Sequence, residues 1–582
     1  MSPSARPVAL LVTLALLVGC SGGGEGDDGE KAEERTRRTP PTATERLDLA
    51  SGWGPTGAEL EKAAKLALEL PVRRLAGQVI VAAWTGTQAP VGLVRRHDLG
   101  GVVAFTENLV SPAQARQVNR TLQRAVRRPW PLLIGIDQEG GQVSRLQGGA
   151  TRFPTLMSVG AADDEQLTEQ VHRAAGGELR HVGFNTDFAP VADVTIGAAD
   201  RVVGARAVGD DPRLVTRHAL AAAAGLAEGG VVPVLKHFPG HGSVTADSHL
   251  TLPLQTRRRS QLERIDWPPF REAVDAGLPA IMVGHLNVRA LDRGVPSSLS
   301  RPVITGALRD RLGFEGLVVT DALNMGAVTR AYSSARAAVS ALRAGADVLL
   351  MPTDPGAARR GIVEAVRSGR LDRARLRQAA ARQIALLLHH RATAGDGRPP
   401  GTSQRLSQRL SAEALTSVAG PCEGDLAPSQ PVPLGDSAAV ANFRIAARNA
   451  GMALGEIDYV KPPPPVRPSP PAKKANKKTR RAYAERLQRY RKDFARWRRI
   501  EPRAVLRGTR VDLVGSGYPS SSSSYVVAVD APHVLGRSGA DVRIATYGDT
   551  LGAMTALVDF LQGEASAPGR LPVRVPRVRR GC

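Results

Sequence analysis

Val231–Pro253, VVPVLKHFPGHGSVTADSHLTLP, starts as a buried strand and ends as a loop. Val231, Val232, Val234 and Leu235 form a short apolar run containing β-branched residues, behind the turn signal Gly229-Gly230. Lys236 and His237 follow side by side. Pro239, Gly240 and Gly242 then break regular structure, so a loop carries His241, Asp247 and His249. Five titratable side chains therefore crowd the end of one strand. A buried charge must be paired or costs several kcal/mol, so this spacing points to half of a reactive site rather than to a structural turn.

Outward from this stretch, from about Leu60 to His390, short apolar runs alternate with Ala-, Leu- and Arg-rich helical segments. The expected strands are Gln78–Ala82, Gly101–Phe105, Leu132–Ile136, Phe184–Pro190, Val231–Leu235, Ala280–Val283, Leu317–Thr320 and Asp347–Met351. Eight strand–helix alternations predict a (β/α)8 TIM barrel over 60–390, a fold whose reactive side chains stand at the carboxyl ends of the strands. Past those ends come Asp137, then Asp187 and Asp193, Lys236 and His237, His285, and Asp321.

The flanks have other characters. Val8 to Val18 is apolar and too short to span a membrane, and it runs into Leu17-Val18-Gly19-Cys20 before a Ser/Gly tract. Residues 1–20 are similar to a bacterial lipoprotein signal peptide in which Cys20 is lipidated. Residues 21–55 read as a disordered tether. Residues 391–411 read as a linker, and 412–575 as a smaller α/β domain with strands near Val511–Val514, Tyr525–Val529 and Val542–Tyr547 and a helix near Leu551–Leu561. A Pro/Lys/Arg-rich insert, 461–510, interrupts that domain. It holds 18 Lys or Arg and 3 Asp or Glu, so most of the chain's formal charge of +23 sits in one place. Cys422 and Cys582 are too far apart in sequence to say whether they pair.

DQEGGQVSRL (Asp137–Leu146), GARAVGDDP (Gly204–Pro212), LKHFPGHG (Leu235–Gly242), DSH (Asp247–His249) and TDALNM (Thr320–Met325) occur in that order. Together they resemble bacterial glycoside hydrolase family 3, in its β-N-acetylglucosaminidase branch. Ala545–Val573 resembles the close of that family's second, α/β sandwich domain. The resemblance implies Asp321 as nucleophile, His249 as acid/base and Asp247 as the carboxylate that orients it. It implies Asp137, Arg145, Arg206, Lys236 and His237 as sugar-binding residues. A carboxylate that attacks the anomeric carbon and a group that shuttles a proton are the two needs of a retaining glycosidase, and an imidazole steadied by a carboxylate can be the second. The plain alternatives are a helix-capping Asp for Asp321, a surface turn for Asp247–His249, and an ion pair of Arg206 with Asp210 or Asp211. His285 divides evenly between site and core. Two residues depart from the family pattern: Ser243 stands where an acidic residue is usual, and Gln142 where Arg is frequent.

The expected protein is a retaining exo-β-N-acetylglucosaminidase acting on muropeptide fragments of peptidoglycan. It is exported and membrane-anchored through lipid on Cys20, facing the cell wall, with no metal or cofactor. The alternatives are a β-N-acetylglucosaminide phosphorylase, a broader β-glucosidase, or a non-catalytic wall-glycan-binding lipoprotein. The basic insert, with Tyr483, Tyr490, Phe494 and Trp497 among its cations, suits anionic lipid or wall polymer better than nucleic acid.

Overall fold

The barrel strands are β1 (Ile80–Ala82), β2 (Gly101–Ala104), β3 (Leu133–Ile136), β4 (Thr186–Asp187), β5 (in two pieces, Val232–Pro233 and Leu235–Phe238), β6 (Ala280–Val283), β7 (Leu317–Thr320) and β8 (Leu349–Leu350). The structure, a computed structural model, describes residues 40–423, 426–472, 476–501, 503–515 and 523–582. Neighbours pair in parallel in the order β8-β1-β2-β3-β4-β5, and the second piece of β5 continues to β6 and β7. An isolated parallel bridge, Val319 to Val348, joins β7 to β8 and closes the ring. The strands are short and wholly buried, as expected for a parallel sheet covered by helices. Gly135 shows how closely the interior is filled: a Cβ there would meet the Phe188 ring at 2.6 Å.

Two expected boundaries move. The tether expected over 21–55 is ordered from Thr42. Thr42 and Glu45 cap the helix α1 (Ala43–Arg46) reciprocally. Glu61 on α2 (Gly57–Glu69) accepts from the backbone of Ala43 and Thr44, and Leu47, Leu49 and Trp53 are buried. Three apolar residues without a period leave no pattern to read. Cys20 and the signal segment lie outside the described residues. The linker expected over 391–411 is shorter too, because α3 (Arg373–Thr393) runs into it and α4 (Gln404–Ala414) occupies its end. Ser407, Leu410, Ser411 and Ala414, one face at helical spacing, are buried. Two of the four are serines, which hides the stripe in sequence.

In the second domain β9 (Thr416–Ala419), β10 (Pro431–Gly435), β13 (Thr509–Val514), β14 (Tyr525–Ala528) and β15 (Val542–Ala545) form one sheet in the order β9-β15-β14-β13-β10, parallel except at β9. Helices α5 (Ser437–Asn449) and α7 (Leu551–Leu561) pack on it around Phe443, Leu557 and Phe560. The insert leaves this sheet as an antiparallel ribbon, β11 (Glu456–Val460) with β12 (Arg503–Arg507), and carries α6 (Lys477–Arg498). Cys422 and Cys582 form a disulfide. Against the barrel, the Tyr547 carbonyl accepts from the N–H and hydroxyl of Thr155, and Arg152 pairs with Asp549. Among the described residues no helix is long and apolar enough to cross a membrane.

Candidate active site

The carboxyl ends of β3 and β5 meet in a chain of alternating charge. Lys236 donates Nζ to Asp137 at 2.7 Å and to Glu139 at 2.6 Å, and Arg206 holds Glu139 through Nε and Nη2 at 2.7 and 2.8 Å. Burial would raise the Glu139 carboxyl, but Arg206 and Lys236 outweigh it and hold it well below the usual carboxylate range. Burial likewise works against the Lys236 cation, and the two carboxylates more than restore it. Arg206 therefore pairs with neither Asp210 nor Asp211. Glu139 was not singled out in sequence, although Asp137 and Glu139 are two apart on an extended stretch and so share a face.

Gln138 shapes this corner. Its N–H donates to Asp187 Oδ1 at 2.9 Å, and its side-chain carbonyl accepts from the N–H groups of Arg145 and Leu146, closing the hairpin Gln138–Ser144. The Arg145 guanidinium then lies 5.5 Å from the centroid of the Phe105 ring at the end of β2, with Nε buried and without a hydrogen-bond partner among the described residues. Asp187 Oδ2 is also buried and unpartnered, and burial pushes that carboxyl up to about 8. Gln142, on the same hairpin, donates to Asp530 of the second domain at 2.8 Å. The departure from Arg at this position thus serves a domain contact.

His237 faces Asp193, with Nδ1 to Oδ2 at 2.6 Å, and Asp193 Oδ1 accepts from the His241 N–H. Burial would raise Asp193, but His237 and His241 bring it down. His241 turns Nε2 to the Ser248 hydroxyl at 2.8 Å, and burial beside His237 lowers its imidazole to about 4. Ser243 donates to Asp266 at 2.8 Å, and Arg257 pairs with the other oxygen of Asp266 at 2.6 Å. Ser243 thus sets a hydroxyl on a buried carboxylate that reaches in from elsewhere in the chain.

Asp321 follows β7 directly. It caps no helix, since the next one starts at Gly326 behind Met325, and its Oδ1 accepts from its neighbour Ala322 N–H at 2.7 Å. Burial would raise this carboxyl; the imidazoles of His285 and His237 and the Ala322 N–H outweigh burial and hold it at about 2. His285 engages both ring nitrogens, one with Ser298 Oγ at 2.6 Å and one with the Ala322 carbonyl at 2.9 Å, so it steadies the segment bearing Asp321. Asp247 Oδ1 meets both the N–H and the Nδ1 of His249 at 2.8 Å. That leaves Nε2 outward on a side chain 64% exposed. The loop is tied to the one that follows Asp321, for Gly326 N–H donates to the His249 carbonyl and Ala327 N–H to that of Ser248. Among the described residues no group of His, Cys, Asp and Glu is disposed to hold a metal ion.

The sequence model described as the glycosyl hydrolase family 3 N-terminal domain matches residues 72–386. A beta-hexosaminidase A from Pseudoalteromonas piscicida is 36% identical over 279 residues, 45% of this chain and 47% of its own length, so the chain spans about half of that relative. A beta-hexosaminidase from Alkalilimnicola ehrlichii is 41% identical over 265 residues, 44% of this chain and 75% of its own. Among solved structures, a family 3 β-N-acetylglucosaminidase from Paenibacillus sp. str. FPU-7 is similar with a TM-score of 0.73 and 28% identity, over 87% of this chain and 99% of that one.

Proposed function

Because the chain belongs to glycoside hydrolase family 3, we propose that it is a retaining exo-β-N-acetylglucosaminidase. The observation that carries this reading is the pairing of an anionic Asp321 at the end of β7 with an Asp247–His249 dyad whose loop is bonded to the loop behind Asp321. Asp321 attacks the anomeric carbon while the glycosidic bond breaks, and His249 Nε2 gives its proton to the departing oxygen. Asp247 stabilises the imidazolium through Nδ1 until then. In the second step His249 takes a proton from water, the resulting oxygen attacks the anomeric carbon, and the ester to Asp321 breaks. Asp137, with Lys236 fixing it, offers a charged acceptor to sugar hydroxyls. Arg145, its guanidinium against the Phe105 ring, brings a second charge to the same rim. The preference for N-acetylglucosamine rests on the names of the relatives.

We further propose that the substrate is a peptidoglycan fragment and that the protein is exported and lipid-anchored at Cys20. The apolar run before Cys20 supports export, and a disulfide is at home in an oxidising compartment. Mass spectrometry of the mature amino terminus tests the anchor.

The test of the reaction uses protein starting after Cys20 with chromogenic β-N-acetylglucosaminide and β-glucoside, with and without phosphate. Turnover of the first alone, falling about 10³-fold or more in Asp321→Ala, is the expected outcome. Turnover that requires phosphate and yields a sugar 1-phosphate would make the protein a phosphorylase. No turnover of either substrate would leave a glycan-binding protein.

A further inference from the structure

Helix α6 carries ten Lys or Arg against two Asp or Glu, and seven of the ten are Arg. Its larger apolar side chains, Tyr483, Leu487, Tyr490, Phe494 and Trp497, recur at alternating spacings of four and three, which places them in one stripe. These five and Ala482 are half-buried in an otherwise exposed helix, and Tyr490, Phe494 and Trp497 stack in succession.

The proline segment starts against the carboxyl end of this stripe. Trp497 Nε1 donates to the Pro462 carbonyl at 2.5 Å, and Lys461 Nζ lies 4.3 Å from the Trp497 ring centroid. The segment thus starts beside the carboxyl end of α6, and α6 itself begins at Lys477, five positions after Ala472. Eleven residues of polyproline II span about 34 Å and a helix of this length about 33 Å, so the two run the same distance. Pro465, Pro468 and Pro471 are half-buried between exposed neighbours, the period of three that such a segment shows when one edge rests on a surface. The half-buried prolines thus match the half-buried stripe of α6 in length, as the two arms of one hairpin would. On the opposite face Lys478, Arg481, Arg489, Lys492 and Arg496 stand in an exposed row, interrupted only by Glu485, which pairs with Arg481 at 3.3 Å.

We infer that this hairpin is a docking rod for a linear anionic polymer of sugar-phosphate or polyol-phosphate repeats. Arginine forks match phosphate oxygens two at a time, which favours phosphate over carboxylate polymers of equal charge. A helix that lies on a bilayer buries an apolar face in the headgroup region, and here that face is half-buried with its Trp497 end bonded to the proline segment. The basic side chains also spread over about two-thirds of the helix circumference at 100° per residue, an arc that a flexible polymer can follow and a flat surface cannot. The choice of a wall-type polymer over nucleic acid rests on the export proposed above.

The full chain is titrated with poly(glycerol phosphate), single-stranded DNA, and vesicles of one part phosphatidylglycerol to three parts phosphatidylcholine. The expected result is tightest binding to poly(glycerol phosphate), weakened about tenfold or more between about 50 and 200 mM salt. In the quadruple variant Lys478→Gln, Arg489→Gln, Lys492→Gln, Arg496→Gln, binding falls about tenfold or more at the lower salt. Its thermal melt and its turnover of a soluble chromogenic substrate match wild type, which separates lost docking from lost folding. Glu485→Gln binds no more weakly than wild type. Absence of polymer binding at the lower salt, equal binding by the quadruple variant, or tighter binding to DNA or vesicles would each overturn the inference.

Discussion

The Gly326 N–H donates to the His249 carbonyl at 3.0 Å. This bond joins the loop of Asp247 and His249 to the loop that follows Asp321, and only a glycine fits there. A Cβ at 326 would stand 2.7 Å from the His249 carbonyl oxygen and 2.8 Å from that of Leu250.

Gly326→Ala is therefore expected to push the dyad loop away while leaving the fold intact, since alanine itself favours the short helix that starts at 326. We expect kcat to fall about 10- to 100-fold with a smaller change in KM, because a displacement near 1 Å misplaces proton transfer more than sugar binding. Steady-state kinetics beside a thermal melt check this. An unchanged kcat would mean that the loop's resting position does not matter to the reaction.

Asp187 makes stability depend on pH in a predictable direction. Its folded carboxyl titrates at about 8 and its unfolded one near 3.9, so between those values the folded state holds a proton that the unfolded chain has released. Stability then falls as pH rises through that window, by at most about 1.4 kcal/mol per unit. Asp187→Asn, neutral throughout, should flatten the profile. Melting temperatures from pH 5 to about 8 compare the two proteins, and parallel profiles would rule the effect out.

Ser243 and Asp266 form a second testable pair. Ser243→Asp restores the acidic residue usual in the family but sets it against a buried carboxylate already bound to Arg257. We expect it to destabilise the barrel by about 2 kcal/mol or more, because two carboxylates would share one guanidinium in a buried place. Adding Asp266→Asn should recover most of the loss, as denaturant melts of the two single variants and the double variant will show.

The Cys422–Cys582 bridge closes a separation of 160 residues. Constraint of the unfolded chain by such a bond is worth about 2–4 kcal/mol. Cys582→Ser should therefore melt several degrees lower than wild type under oxidising conditions and show no further drop on adding reductant.

Much of this was legible from the chain alone, and the parts that were not have physical reasons. Barrel strands such as Leu317–Thr320 announce themselves as apolar runs that end in a charged residue. Asp137, Lys236 and Arg206 stand out as candidates, but the residue that joins them, Glu139, sits inside the motif Asp137–Leu146 with no signal of its own. The contact of Asp266 has no local signature either, because nothing in the sequence says that a carboxylate 23 residues after Ser243 accepts from it. The order from Thr42 to Trp53 rests on Glu61 accepting backbone N–H groups, a long-range contact with no periodic signature. In the insert, both the proline run and the aromatic spacing were visible. That they meet follows only from the ribbon β11–β12, which fixes where the segment starts.

That ribbon also makes the insert portable. Its first pair is Glu456 with Arg507, and the glycines just outside, Gly455 and Gly508, both press against the carbonyl of Gln430. The two ends of the excursion thus lie about one strand spacing apart, near 4.8 Å. Joining them with a two-residue turn would close the gap while β10 and β13 keep their pairing. The hairpin is a cassette: evolution or an engineer can lengthen it, delete it or transplant it onto another exposed ribbon, and the sheet below registers only a turn.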